Sequence, residues 1–176
     1  KVSVITTIGI DHTEHLGSSI KDIAKEKASI IKNNIPVVVG PQVYEAKKII
    51  DDIAKQRKSP IYLYGKDFFG KIKNINYNGV IFDFHTILLE TPILTLKIPL
   101  IGKHQLINAS VSLQTVLTAM LSDKCYDYDK DLLIRSLRKG LKKVICKGRT
   151  ELVFYEYYPL LLDGAHNPEA AKVLAE

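Results

Sequence analysis

Ile35-Pro36-Val37-Val38-Val39-Gly40 is a short, wholly apolar run. It lacks the in–out alternation of a half-solvated strand, so it fits a strand buried on both faces of a parallel sheet. Upstream of it, residues 2–8 run or alternate apolar as another strand. Residues 19–32 then predict a helix, with Ser18 or Ser19 as N-cap and Asp22 in the first turn. Downstream, residues 41–58 predict a second helix, its mixed amphipathic face made by Tyr44, Lys47, Lys48, Ile50, Ile53 and Ala54. Residues 60–64 predict a third strand. The first 64 residues therefore read β-α-β-α-β, the order of an α/β fold in which helices flank a parallel sheet.

After that point the pattern changes. Residues 68–100 hold Asn78-Gly79, a strong hairpin-turn dipeptide, with apolar runs at 80–89 and 93–98, which predict antiparallel hairpin strands. Helices return at 103–121 and 129–141. A strand pair near 151–155 and 159–162 follows, then a helix from Pro168. The basic, glycine-containing stretch at Lys147-Gly148-Arg149 marks the expected domain boundary, giving one domain over 1–148 and the start of a second over 149–176.

The chain has 176 residues, 46% hydrophobic and 25% charged, which suits a globular protein. No stretch of eighteen apolar residues exists to span a membrane, and no signal peptide opens the chain. Lys1 begins what reads as a strand already under way, and the last residues read as a helix cut short, so the natural termini are expected to lie beyond both ends. Cys125 and Cys146 form no CxxC pair. They read as two free, buried or semi-buried thiols in a reducing cytosol, which points to a cytoplasmic protein. The net charge is +6, with an excess at Arg135, Arg138, Lys139, Lys142, Lys143, Lys147 and Arg149. Such a run is usually a solvated face; it could also attract an anionic substrate, and nucleic acid is a third option that no RNA-binding or zinc-finger pattern supports.

Four short segments carry candidate chemistry. On the first helix, Ile20, Ile23, Ala24, Ile30 and Ile31 share one face at 100° per residue, and Lys27 falls near its centre. Either that lysine snorkels or pairs, or its amine is available for modification; carbamylation would convert it into an anionic oxygen ligand. Asp11-His12 follows the first strand, at the carboxyl end where α/β sheets bind ligands. A histidine and an anionic oxygen can share a divalent cation, though by itself the pair is a weak signal and a surface loop histidine is the more common outcome. His104, Gln105 and Asn108 cluster near a helix start, apart from the apolar positions Ala109, Leu113, Val116, Leu117 and Met120; they suit either capping or a nucleotide. Finally, Leu162-Asp163-Gly164-Ala165-His166-Asn167-Pro168 places Asp163 and His166 at a strand–turn–helix mouth, with Asn167 and Pro168 as N-cap and first helical residue.

Together these segments resemble the folylpolyglutamate synthase / dihydrofolate synthase family of the Mur ligase superfamily. The matching stretches are Thr7–His12 with Leu16-Gly17, Ile23–Lys32 with Ile35–Gly40, Leu100–Ala109, Gly148-Arg149 with Glu151, and Leu162–Pro168. They occur in family order; residues 66–99 match only in general strand character. The resemblance implies a central Mur-type ATPase domain followed by the start of a Rossmann-like domain. It implies a carbon–nitrogen ligase that uses ATP and magnesium to add L-glutamate to a folate or dihydropteroate carboxylate through an acyl phosphate. His12 would be a metal ligand. Lys27, carbamylated, would help hold a second metal and serve catalysis. Asn108, with His104 and Gln105, would line the adenine side of the ATP site. Arg149 would reach the phosphates, Asp163 the ribose, and His166 would lie near the phosphates as a catalytic group. The implied partners are these small molecules, with no nucleic acid and no membrane, in a protein monomeric at full length.

There are departures. The glycine-rich phosphate loop is absent, and Ser29 stands where the family usually has glycine, so the 176-residue piece alone is expected to be inactive. Another amino-acid ligase of the superfamily, of muramyl peptide or cyanophycin type, and a non-catalytic module that binds nucleotide or nucleic acid, stand as alternatives.

Overall fold

The computed structural model describes residues 1–9, 19–121, 129–166 and 168–175. The strands are β1 (Ser3–Ile5), β2 (Val37–Val39), β3 (Ile61–Leu63), β4 (Phe68–Asn76), β5 (Gly79–Thr86), β6 (Ile93–Ile98), β7 (Glu151–Tyr155) and β8 (Tyr158–Leu162). The helices are α1 (Ile20–Ala28), α2 (Tyr44–Gln56), α3 (Lys103–Leu121), α4 (Lys130–Lys142) and α5 (Pro168–Ala175). The fold is mixed α/β, as the sequence pattern requires. Two compact units divide it: Lys1–Phe69 with Thr86–Leu88 and Val111–Tyr126, and Gly70–His85 with Leu89–Ser110 and Asp127–Glu176.

In the first unit β1, β2 and β3 form a parallel sheet in that order, with Ser3 opposite Val37 and Val37 opposite Ile61. Val37, Val38 and Val39 are fully buried, which is why the run carries no polar residue. Buried Ala24 and Ala28 on α1 and Ala46 and Ala54 on α2 let the two helices pack closely over Ile5, Ile23 and Ile50. Ser19 caps α1, its hydroxyl accepting the Asp22 N–H at 3.2 Å. Both helices end earlier than their apolar pattern. Ser29 closes α1, and left-handed Asn34 (φ 58°) and Lys58 (φ 51°) turn the chain toward Pro36 and Pro60. Tyr44 is also 76% exposed, so the buried stripe of α2 is Ala46, Ile50 and Ala54 rather than the broader face expected.

The carboxyl end of this sheet is finished by a side chain. The Gly40 N–H reaches the Ile5 carbonyl at 2.8 Å, and then Pro41, which has no N–H, stops β2. Gln42 takes over: its amide donates to the Thr6 carbonyl at 2.7 Å, and its oxygen accepts from the Ile8 N–H at 3.2 Å. Those two groups flank Thr7, the same pair a parallel neighbour's backbone would take. The carboxamide therefore stands in for one more strand residue, immediately before residues 10–18.

In the second unit β4, β5 and β6 lie in that order, β5 and β6 antiparallel. Val80, Phe82, Leu96 and Ile98 fill its interior, and Leu106 and Ser110 of α3 close over Gly70, where a Cβ would come 2.6 Å from Leu106. Gly79 (φ +112°) makes the expected turn; any side chain there would run into the Ile98 carbonyl. The β5–β6 register slips between Phe82 and Phe84, beside left-handed Thr95 (φ 55°). Asp83 restrains that slip: its carboxylate accepts the Thr95 N–H at 2.7 Å and pairs with Lys73 at 3.0 Å. These contacts, the Thr95 N–H first, hold its carboxyl below the usual carboxylate range against the opposing effect of burial. Arg138 donates to the Thr95 carbonyl at 2.8 Å, so part of the basic run is structural. Two expectations are corrected here. Val116 is 40% exposed, because α3 buries Ser110, Gln114 and Thr118 in place of a purely apolar stripe; Gln114 is satisfied by Thr86 and Thr118. Cys146 is exposed rather than buried, and Cys125 lies outside the described residues.

Replacing Gln42 with leucine removes two bonds from a partly solvated site, so the chain should lose only about 1–2 kcal/mol. Urea unfolding checks the magnitude, and amide exchange at Ile8 should accelerate selectively.

Candidate functional site

α3 begins at Gly102, whose left-handed φ (+111°) brings the His104 ring back over it. A Cβ at residue 102 would lie 2.6 Å from the ring's Cε1 and 2.8 Å from Nδ1, so only glycine leaves the imidazole room. One turn of helix then aligns three polar side chains. Asn108 donates its amide N–H to Gln105 Oε1 at 3.3 Å, and Gln105 Nε2 stands 3.0 Å from His104 Nε2. An amide nitrogen can only donate, so His104 Nε2 must accept, which puts the ring's proton on Nδ1 and leaves it neutral. The electrostatics agree. Burial pushes His104 below its usual pKa, the Arg149 charge acts the same way, and the Asp163 charge opposes both. That mutual influence places Asp163 and Arg149 in the same locale as the start of α3.

Asp163 ends β8 and grips the turn before β7. Its Oδ2 accepts the Thr150 N–H at 2.7 Å and the Thr150 hydroxyl at 3.2 Å, while Oδ1 accepts the Ala165 N–H at 2.7 Å. Burial would raise this carboxyl, but the Thr150 and Ala165 N–H groups, the Thr150 hydroxyl and the Arg149 charge outweigh it and hold it below the ordinary value. The Gly164 N–H donates to the Gly148 carbonyl at 2.7 Å, and the Gly148 N–H donates to Glu151 Oε2 at 2.7 Å. Arg149 is exposed and lies over Gly164, where a Cβ would sit 3.7 Å from its Nη1. His166 Nδ1 is 2.8 Å from the Gly164 carbonyl. A carbonyl can only accept, so Nδ1 carries hydrogen and Nε2 presents its lone pair outward when the ring is neutral. Arg149 and Thr150 also border an open groove of about 700 Å³ that takes in Lys142, Lys143, Ile101 and Leu152.

Of the six residues singled out from the sequence, His104, Gln105 and Asn108 form one bonded row, Asp163 and His166 bond to the neighbouring turns, and Arg149 acts on Asp163 and His104 through its charge. Thr150 escaped notice; a threonine beside Gly-Arg carries no signal of its own, since its role depends on a left-handed backbone (φ 49°) visible only in the fold. His12 and Asp11, like the capping Asn167, lie outside the described residues. Lys27 is corrected in one respect: it is exposed, although Ile23, Ala24 and Ala28 around it are fully buried. Its flexible stem carries the ammonium out to water instead of leaving it unpaired on the apolar face. Among the described residues no group of three or more His, Cys, Asp or Glu side chains could hold a metal, and no helix is long and apolar enough to cross a membrane. An ammonium has no lone pair to give, so Lys27 could ligate a cation only as its carbamate, for which its accessible position leaves room.

The Mur ligase middle domain profile matches residues 1–116. The dihydrofolate synthase/folylpolyglutamate synthase of Bacillus subtilis is 36% identical over 99% of this chain and 39% of its own length. An FPGS solved with AMPPCP and folate superposes with a TM-score of 0.87 at 30% identity, over 98% of this chain and 40% of that one. The apo form of the Lactobacillus casei FPGS superposes with a TM-score of 0.86 at 29% identity, over 98% and 40%. The chain therefore spans about two-fifths of the length of these relatives.

A histidine held neutral by burial is protonated more readily in the unfolded chain, so protonation favours unfolding. Stability from His104 is complete above its ordinary value of 6.5 and declines as pH falls below it. Thermal melts from pH 8 to 5 should show that decline, and His104→Gln should flatten it.

Proposed function

This chain belongs to the Mur ligase middle domain family, and on that premise we propose that it is the ATP-handling part of a folate-type carbon–nitrogen ligase. Residues 1–148 form the later part of its central domain, and residues 149–176 open its C-terminal domain. The observation that carries this reading is the joining of the neutral His104–Gln105–Asn108 relay to the Asp163–Arg149 turn through mutual charge. Homology to folylpolyglutamate and dihydrofolate synthases across nearly the whole chain supports it, as does the likeness to an FPGS bound to AMPPCP and folate.

The reaction transfers the γ-phosphoryl group of ATP to the carboxylate of a folate or dihydropteroate. ADP departs, the amine of L-glutamate attacks the acyl phosphate, and inorganic phosphate leaves as the new nitrogen loses a proton. A magnesium ion, when bound, neutralises charge developing on the phosphoryl oxygens. His12 would ligate it, and carbamylated Lys27 would hold a second.

The side chains of the chain divide the remaining tasks. Asn108 and the Gln105–His104 pair offer amide and imidazole groups to the adenine edge, and the neutrality of His104 suits an uncharged base. Asp163 already accepts three bonds from Thr150 and Ala165. A carboxylate has about four acceptor positions, which leaves one for a ribose hydroxyl. Arg149 would meet the phosphates as a fixed cation, and His166, whose Nδ1 is held by the Gly164 carbonyl, would lie near them. The compartment proposed is the cytoplasm, and the complete enzyme acts as a monomer on small molecules, not on nucleic acid.

Two measurements test this. The matching segment of the Bacillus subtilis synthase can be replaced by this chain. The chimera should release ADP only when ATP, glutamate and a folate or dihydropteroate are all present, whereas the 176-residue chain alone should release none. A folded, ATP-binding chimera that releases none, or turnover by the chain alone, sinks the proposal. Separately, carbon-13 bicarbonate should give a carbamate resonance that disappears in Lys27→Met; a signal that survives the substitution removes Lys27 from the metal site.

A further inference from the structure

We propose that Thr150 is a positioning residue for Arg149, acting through the hydroxyl and N–H that its left-handed backbone brings onto Asp163; this rests on the reading of Arg149 as the phosphate contact. Thr150 is β-branched and left-handed at φ 49°, a combination that L residues rarely adopt. Strain of this kind persists where the surroundings over-determine a residue. Here they do: the Thr150 N–H and hydroxyl both end on Asp163 Oδ2, at 2.7 and 3.2 Å.

On the other side of Arg149, Gly148 is also left-handed (φ 67°), and its carbonyl accepts the Gly164 N–H at 2.7 Å. Backbone groups on both sides of Arg149 are therefore bonded to the consecutive residues Asp163 and Gly164. The Asp163 carboxylate serves as one of the two rungs, in the place of a backbone carbonyl. Arg149 is itself exposed, so the clamp fixes its backbone and with it the point from which the side chain leaves the turn. It lies over Gly164, beside the turn that carries His166. Thr150 is only 7% exposed, which leaves its neighbour to meet any ligand.

A purely structural threonine and a positioning one differ in what they change. The first would lower stability and weaken every ligand alike. The second would weaken phosphate-bearing ligands selectively. The experiment titrates the 176-residue chain with ATP and with adenosine, following the Gly164 and Ala165 amides by NMR, with melts recorded in parallel. Variants are Thr150→Ser, which keeps both bonds, Thr150→Val, which keeps the branched shape without the hydroxyl, and Thr150→Gly, which suits a left-handed backbone and guards against misfolding of the valine variant. Arg149→Gln is the control.

The preference for ATP over adenosine should fall about fivefold in Arg149→Gln, as expected for losing one charge-assisted contact. It should fall by a similar factor in Thr150→Val and Thr150→Gly, with adenosine affinity unchanged, and hold in Thr150→Ser. An unchanged preference in the valine and glycine variants, while Arg149→Gln loses it, overturns the role of Thr150 alone. Equal weakening of both ligands together with a lower melting temperature also overturns it. An unchanged preference in Arg149→Gln removes the phosphate role of Arg149 and this inference with it.

Discussion

The Asp163 carboxylate organises the second unit. It ends a strand, and it spends its oxygens on donors from two turns: the Thr150 N–H and hydroxyl on one side and the Ala165 N–H on the other. Such charge-assisted bonds are among the stronger ones a protein makes. Without them the loop carrying Arg149 would have no reason to hold two left-handed residues in three positions, Gly148 and Thr150. The same charge also reaches His104, where it opposes the burial and the Arg149 charge that keep the ring neutral. One ionised group thus shapes a loop and, through its charge, works against the loss of a proton from a nearby imidazole.

The pattern repeats elsewhere in the fold. At three places where a ladder of backbone bonds stops or slips, a planar side chain carries it one step further. Gln42 does this for β1 after Pro41 ends β2, Asp83 does it for Thr95 at the β5–β6 slip, and Asp163 does it beside Arg149. Backbone donors and acceptors need partners wherever water is scarce. Side-chain amides and carboxylates can meet that need while leaving the chain free to turn. Irregular backbone suitable for binding can then sit directly against regular structure without losing its definition.

Much of this was legible in the residues. The apolar run at 35–40 declared a doubly buried parallel strand, and Asn78-Gly79 declared its turn, because both depend on local periodicity and local φ. The grouping of His104, Gln105 and Asn108 followed from helical spacing. Other features depend on through-space facts that a linear pattern does not contain. Helical spacing put Lys27 among the apolar positions of α1, but spacing does not say how far a long side chain extends, and the residue is exposed. Val116 lost its expected burial to Gln114, whose polar ends are satisfied by Thr86 and Thr118. The part played by Thr150 rests on a backbone conformation that its residue type argues against.

The hairpin of β7 and β8 bears on how the molecule behaves in bulk. Its second strand, Tyr158-Pro159-Leu160-Leu161-Leu162, is exposed along its whole length, and Phe154 and Tyr155 of its partner are exposed beside it. Among the described residues this sheet has two strands, and aliphatic side chains exposed along a strand edge offer other extended chains a place to pair. Proline at the second position of that strand withholds one donor from the edge and blunts the tendency.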